Sequence, residues 1–284
     1  MKTYLEISIT ATPHQQELLL PTMIELGCQG FQESDGELLC YIDKSRWSSD
    51  KYEQFRSDLK RTLRIISANA SVRIKEIQEE NWNVLWEQTI QPIEIGQKLV
   101  VKPSWCDYNN IENRIIIQID PKMSFGTGYH ETTRLILQLL ERYVDAEYSI
   151  LDVGMGTGIL AIAGVKLGTT TAVGIDVDDW SIENARENVE SNCVADKVAI
   201  FKKPIDELES PPADLITANL TLNSIIELLQ HFRSHLRDGG LLLLSGLLQS
   251  DRQAMTKHLR DHHFEVIEQL TENEWIALAA QKLT

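Results

Sequence analysis

The stretch Ile150-Leu151-Asp152-Val153-Gly154-Met155-Gly156-Thr157-Gly158 runs an apolar strand straight into three alternating glycines and then a helical pattern. Glycine has no Cβ, so this backbone can turn tightly and approach a ligand closely. Working outward, helix and strand patterns alternate from about residue 131. Helices are expected at 131–143, 158–167, 180–191, 222–236 and 250–261. Strands are expected at 149–153, 172–176, 197–201, 213–218, 240–245, 264–270 and 274–280. Such alternation predicts an α/β fold with a mostly parallel, doubly wound sheet. Crossovers should be right-handed, and a ligand should sit at the carboxyl ends of the strands.

The glycine spacing is GxGxG, and Ile159 stands where a dinucleotide fingerprint requires its last glycine. A pyrophosphate calls for that longer motif and a helix N-terminus. The shorter one suits the amino-acid part of S-adenosylmethionine (AdoMet). The next strand, Ala172-Val173-Gly174-Ile175-Asp176, ends on an acid 18 residues beyond Gly158. A carboxylate there can accept from both hydroxyls of a ribose. A helix-cap role is the competing reading, but Asp178 and Asp179 are already placed for it. Asn219 ends the strand Asp214-Leu215-Ile216-Thr217-Ala218-Asn219. Its amide could orient an attacking amine or cap the following helix. A second glycine loop, Met123-Ser124-Phe125-Gly126-Thr127-Gly128-Tyr129-His130-Glu131-Thr132-Thr133, opens a helix with two threonines in its first turn. Either it closes over a cofactor, with Thr133 meeting the carboxylate or amino group, or it is a capped helix start.

Residues 1–80 read as a separate unit. Leu5, Ile7 and Ile9 alternate with polar residues, which marks a half-buried strand. Thr12 and Pro13 suit the cap and first position of a helix running to Leu26, and Gly27 suits its stop. Strands follow near Gly30–Glu33 and Glu37–Ile42, then a helix over about 49–67 and a strand carrying Val72, Ile74 and Ile77. That order is ferredoxin-like. Residues 81–90 read as a linker helix with Trp82, Leu85, Trp86 and Thr89 on one face. Residues 91–119 read as strands.

The chain has 284 residues, with 27 basic and 42 acidic side chains and a formal charge of −15. Hydrophobic residues are 43% and charged residues 24%, as in an ordinary globular protein. The acidity argues against a large nucleic-acid footprint, which needs clustered Lys and Arg. It is carried mainly by residues 120–284, with 14 basic and 25 acidic groups, whereas residues 1–80 have 10 and 13. No stretch approaches the roughly 20 apolar residues of a membrane helix, so a cytoplasmic location is expected. The four cysteines, at 28, 40, 106 and 193, form no CxxC pair. His231/His235 and His258/His262 have helical i, i+4 spacing but lack a third ligand, so exposed helix faces are expected and no metal. Neither GxSxG nor GxxxxGK[ST] occurs.

Taken together these residues resemble the ribosomal protein L eleven methyltransferase family (PrmA-type), over nearly the whole chain. Asp120-Pro121 followed by Phe125-Gly126-Thr127-Gly128-Tyr129-His130-Glu131-Thr132-Thr133 looks like the family's DP…FGTGxHxTT motif. Trp82 and Trp86 match its WxxxW linker, and Lys102-Pro103-Ser104-Trp105 its PSW segment. Asp152, Gly154, Gly156 and Gly158 match its cofactor loop, Asp176 and Asn219 its acid and AN motif, and Trp275 its final strand. Lys122, Glu131 and Met155 depart from it, standing where Gly, Pro and Cys are common. The resemblance implies a Rossmann-like class I AdoMet-dependent methyltransferase domain over 91–284. It also implies a ferredoxin-like substrate-recognition domain over 1–80. The implied reaction methylates lysine side chains and the N-terminal amine of a large-subunit ribosomal protein. The implied cofactor contacts are Thr133, Gly154, Gly156, Asp176 and Asn219, with Asn219 also catalytic. Another protein or a nucleic acid as the amine substrate is a competing reading, as are a NAD-dependent oxidoreductase and a non-catalytic cofactor-binding module.

Overall fold

Alternating apolar and polar residues place one face of a strand on a core, as in the first unit, and continuous apolar runs bury both faces, as in the second. A computed structural model describes residues 3–28, 30–34, 36–43, 55, 57, 59, 71–78, 91–120, 122 and 124–284. The chain divides into Met1–Thr89 and Ile90–Thr284. The expected linker helix at 81–90 lies outside the described residues. So does most of the expected helix at 49–67, of which Phe55, Ser57 and Leu59 are described and helical.

In the first unit, β1 (Thr3–Thr10) pairs antiparallel with both β3 (Glu37–Asp43) and β4 (Val72–Gln78), and β2 (Gly30–Ser34) pairs antiparallel with β3. The sheet order β2-β3-β1-β4 is the ferredoxin-like arrangement. Leu5, Ile7 and Ile9 are buried with Leu19 and Met23 of α1 (Pro13–Glu25). Thr12 caps α1: its backbone N–H donates to Gln15 Oε1 at 2.9 Å. Gly27, at φ 95°, makes the left-handed turn that ends it. Cys28 and Cys40 are free thiols in this core. A hydrogen bond with Cys28, together with burial, pushes the Cys40 thiol well up, so it stays protonated.

The second unit holds the alternating pattern. Its strands are β8 (Ser149–Val153), β9 (Thr171–Asp176), β10 (Val198–Lys202), β11 (Ala213–Asn219), β12 (Leu236–Leu248), β13 (Phe264–Glu272) and β14 (Trp275–Lys282). They form one sheet in the order β10-β9-β8-β11-β12-β14-β13. Only β14 runs against its neighbours. The chain moves outward from β8 to β10 and returns to β11 on the other side of β8, so the topological switch lies between β8 and β11.

Neighbouring residues of each strand feed opposite cores. Ile150, Leu215, Leu241, Leu243, Ala277 and Ala279 pack against α2 (Glu131–Tyr143) and α3 (Ile159–Leu167). Leu151, Ile216, Leu242, Leu244, Ile276 and Leu278 pack against α5 (Leu222–His235) and α6 (Arg252–Asp261). Each fully buried leucine contributes roughly 1.5–3 kcal/mol. Three short strands, β5 (Ile93–Ile95), β6 (Leu99–Lys102) and β7 (Ile115–Gln118), add Leu99, Val101 and Ile117 to the first of these cores. Helix α4 (Asp179–Ser191) is tied to them where the Asn192 side chain exchanges hydrogen bonds with the Gln118 backbone at 2.7 and 2.9 Å.

One strand departs clearly from expectation. Residues 240–245 were expected, and β12 instead spans Leu236–Leu248. Gly239-Gly240 reads as a turn, but Leu236 already pairs with Ala213 across a register shift. At the far end Gly246, at φ 84°, kinks the strand without ending it.

Candidate active site

The carboxyl ends of β8, β9, β11 and β12 converge on a cavity of about 630 Å³. Gly154 and Gly156 line it from the first loop, Asp176 from β9, Asn219 from β11 and Gly246 from β12. Phe125, His130 and Thr132 come from the second glycine loop and α2, and Trp275 from β14. The two glycine loops touch each other. Thr157 Oγ1 donates to the Gly126 carbonyl at 2.6 Å, and Thr157 N–H donates to the Phe125 carbonyl at 2.9 Å. A Cβ on Gly156 would run into that Phe125 carbonyl, and one on Gly154 would sit 2.6 Å from Leu220 Cδ2. Both residues also have positive φ, so glycine is required twice over.

The hydrogen bonding of the first loop decides what it can hold. Gly154 and Met155 N–H both donate to the Ile175 carbonyl, Gly156 N–H to Asp176 Oδ2, Thr157 N–H to Phe125 and Gly158 N–H to Met155. Every amide from Gly154 to Gly158 is therefore spent inside the protein. None is left for a pyrophosphate, and among the described residues Lys203 is the one lysine or arginine on the wall. Gly158 instead lets α3 approach α4, where a Cβ would meet Ala185 Cβ at 3.2 Å.

Asp176 accepts from three backbone groups: Gly156 N–H at 3.0 Å, Val177 N–H at 2.8 Å and Asp178 N–H at 3.1 Å. A carboxylate has about four acceptor sites, so the face on the cavity keeps capacity for one hydroxyl donor. Asp178 caps α4, accepting from Ser181 N–H at 2.9 Å, which leaves Asp176 out of that role. Apolar surface from Ile175, Val177, Pro204 and Ile205 continues the wall and suits a flat base. Bare glycine backbone, a strand-end carboxylate and apolar walls fit the nucleoside and amino-acid parts of AdoMet. They do not fit a dinucleotide.

Thr221, and not Asn219, caps α5, accepting from Ser224 N–H at 3.5 Å. The Asn219 amide Nδ2 instead lies 3.3 Å from Thr132 Oγ1 and 3.4 Å from Thr133 Oγ1. Thr132 lines the cavity, whereas Thr133 stands behind it and reaches the site through Asn219. His130 caps α2 with its ring nitrogen Nδ1 and packs, with its ring tilted to both, between Phe125 and Trp275. Sequence reasoning singled out neither Thr132 nor Gly246 for the site. An isolated glycine inside the apolar run Leu241–Leu248 was the available signal for Gly246. The histidine pairs lie elsewhere. Both ring nitrogens of His235 face backbone carbonyls, and His262 Nδ1 faces the His258 carbonyl at 2.8 Å.

The family model described as ribosomal protein L11 methyltransferase (PrmA) matches residues 3–283. The chain belongs to the ribosomal protein L11 methyltransferase family. Among curated relatives, the ribosomal protein L11 methyltransferase of Thermoanaerobacter pseudethanolicus is 33% identical, covering 98% of this chain and 99% of its own. That of Alkaliphilus oremlandii is 30% identical, covering 98% of each chain. A solved structure, the ribosomal protein L11 methylase of Lactobacillus delbrueckii subsp. bulgaricus, superposes with a TM-score of 0.65 at 30% identity. It covers 69% of this chain and 100% of its own. As an L11 methyltransferase family member with this Rossmann-like sheet, the enzyme uses AdoMet.

Beneath the loop of this family member lies Asp152, fully buried. Its Oδ1 accepts from Thr217 Oγ1 at 2.8 Å and its Oδ2 from Ala161 N–H at 3.3 Å, joining β8, β11 and α3. Burial pushes its carboxyl from 3.8 up to about 7, against the two hydrogen bonds that favour the anion. The folded state thus holds this proton more tightly than the unfolded state does. Stability tied to it is full below pH 3.8 and is lost as pH rises toward about 7, with no further loss above. The ionised group carries a cost on the order of 4 kcal/mol. Asp152→Asn keeps the acceptor for Thr217 and removes the titration. Its thermal midpoint relative to the wild type should therefore rise between pH 5 and pH 8. A difference constant across that range would contradict the assignment.

Proposed function

We propose that this enzyme methylates lysine side chains, and the N-terminal amine, of ribosomal protein L11. The observation that carries the reading is Asn219 at the β11 carboxyl end, its amide NH2 held by two threonines and its side chain on the cavity wall. Bound AdoMet supplies an electrophilic methyl group on a cationic sulfur. The protein's part is to deliver a neutral, oriented amine. A lysine with pKa about 10.4 must be deprotonated at a cost of roughly 4.6 kcal/mol at pH 7. The apolar wall desolvates the ammonium and lowers that cost. Asn219 Oδ1 then accepts one amine N–H and turns the lone pair toward the methyl. Positioning of this kind supplies most of the rate in an in-line displacement. Gly154, Gly156 and Asp176 hold the cofactor, and Thr133 braces Asn219 from behind.

The N-terminal unit is proposed to hold the substrate protein, with 81–90 as the link. Among the described residues no helix is long and apolar enough to cross a membrane, and we place the reaction in the cytoplasm. Incubation with methyl-labelled AdoMet and purified L11, resolved by peptide mass, tests the reading. Label on lysine and the N-terminus is expected, and none on an L11 whose amines are blocked. Label on nucleic acid in place of L11 would overturn it.

The charge of the catalytic part adds a prediction. Residues 120–284 carry 14 basic and 25 acidic side chains, and a lysine-rich target would be drawn to that surface. The screening length is about 10 Å at 0.1 M salt. Raising salt from about 0.05 to 0.5 M should increase KM for L11 severalfold, while the AdoMet Kd measured by calorimetry stays nearly level. Equal salt dependence of the two constants would count against it.

A further inference from the structure

The contacts at the start of α2 form a chain whose direction can be read from donor and acceptor counts. His130 Nδ1 accepts from the Thr132 backbone N–H at 3.3 Å, as an N-cap does, and lies 2.9 Å from Thr132 Oγ1. A ring nitrogen that accepts an N–H carries no proton, so toward its single lone pair, shared with that N–H, the Thr132 hydroxyl at 2.9 Å can only donate. That spends the single proton of Thr132. Its oxygen then offers only lone pairs to Asn219, so the atom facing it at 3.3 Å has to be the amide nitrogen. Thr133 Oγ1, 3.4 Å from the same nitrogen, takes the other amide proton. Both Asn219 donors are thus committed to α2, and Oδ1 is the atom left for the cavity.

The direction matters chemically. With Oδ1 outward, the amide accepts an N–H from the incoming amine and leaves the nitrogen lone pair free to attack. With NH2 outward, it would donate to that lone pair and quench it. We infer that His130 and Thr132 are positioning residues that lock the Asn219 amide with its carbonyl toward the substrate amine. The inference rests on the reading of Asn219 given above. His130 itself is held in place: its ring centroid is 5.5 Å from Phe125 and 5.0 Å from Trp275, edge-on. Glu131 Oε2, the carboxylate oxygen facing Nδ1, is 3.9 Å away and beyond hydrogen-bond reach, while Oε1 accepts from Asn273 Nδ2 at 2.9 Å. Nδ1 is therefore left to Thr132.

Three measurements on the full-length enzyme test this. In 15N-histidine-labelled protein, His130 should show an unprotonated Nδ1 and a protonated Nε2; a proton on Nδ1 would overturn the chain. Thr132→Val, which keeps the shape and removes the hydroxyl, should lower kcat with L11 about 30-fold, with AdoMet Kd changed less than about twofold. Thr132→Ser should recover kcat to within about threefold of wild type. Adding Thr132→Val to Asn219→Ala should cost nothing further, because the residue it positions is gone. Unchanged kcat in Thr132→Val, or losses that multiply in the double variant, would refute the positioning role. If Asn219→Ala is inactive while Thr132→Val is normal, only the chain fails. If Asn219→Ala itself turns over normally, the reading of Asn219 fails with it. Should Thr132→Val not fold, Thr132→Ser and the histidine signals still decide the question.

Discussion

Asn219→Ala should lower kcat for methyl transfer to L11 by about 10²–10³-fold while changing AdoMet Kd less than about threefold. The split follows from where the side chain points. Asn219 forms one wall of the cavity, at the end of the strand beside the topological switch. Its backbone is fixed independently of the side chain. β11 pairs with β8 and β12 on either side, and Leu220 N–H donates to the Ser245 carbonyl at 3.1 Å. Truncation to alanine therefore leaves the strand end in place and removes only the amide. The amine would still enter, but as a freely rotating group. Losing a transition-state-specific orientation reduces kcat and kcat/KM together, whereas losing plain cofactor affinity would raise an apparent KM for AdoMet. Single-turnover methyl transfer at saturating AdoMet distinguishes the two. A variant within a few-fold of wild type in that assay would remove Asn219 from the chemistry.

The glycine loop was readable because it depends on a local rule. Three positions with positive φ, one after another at alternate residues, can be met cheaply only by glycine. Asp176 was readable because strand periodicity fixes where a strand ends, and the fold rule says what strand ends face. Both ends of β12 are set by non-local pairing. Whether Leu236 or Leu247 extends the strand depends on partners in β11 and β14, and Gly239 and Gly246 read locally as breaks.

The two threonines show a second limit. Thr132 and Thr133 are both buried, and so are Leu135, Ile136, Leu137, Leu139 and Leu140. Glu131, Arg134, Gln138 and Glu141 mark the polar side of this helix and both threonines lie off it, so periodicity buries both and cannot say which one meets the cavity. The resemblance pointed to Thr133, and the geometry puts Thr132 on the wall with Thr133 one layer behind. His130 is in the motif, but its capping contact with Thr132 depends on the turn that enters α2, which residue spacing does not reveal. Trp275 is more than a hundred residues away in sequence and reaches His130 only because β14 inserts beside β12.

Asp176→Ala should weaken AdoMet binding on the order of 100-fold, with kcat at saturating cofactor within about fivefold of wild type. The carboxylate has two separable roles. It accepts from Gly156, Val177 and Asp178 N–H, which ties the glycine loop to β9, and it faces the cavity, where a ribose hydroxyl would donate. A hydrogen bond to a charged group contributes about 1.5–3 kcal/mol, so losing the one left for the ribose weakens binding by about 10–150-fold, and the freed glycine loop adds to that. Asp176→Asn tells the roles apart. The amide keeps the size and one acceptor oxygen but has no net charge. If the ribose contact dominates, its Kd should fall between those of alanine and wild type, about tenfold weak. If the loop tie dominates, the asparagine NH2 confronts backbone N–H groups that are themselves donors, and binding should be as poor as with alanine or worse. Calorimetry with AdoMet, run in parallel with NAD as a negative control, reads both. An unchanged AdoMet Kd in Asp176→Ala would place the nucleoside elsewhere in the cavity. The apolar walls alone would then have to supply the affinity, and the strand-end acid would be left with only the loop to hold.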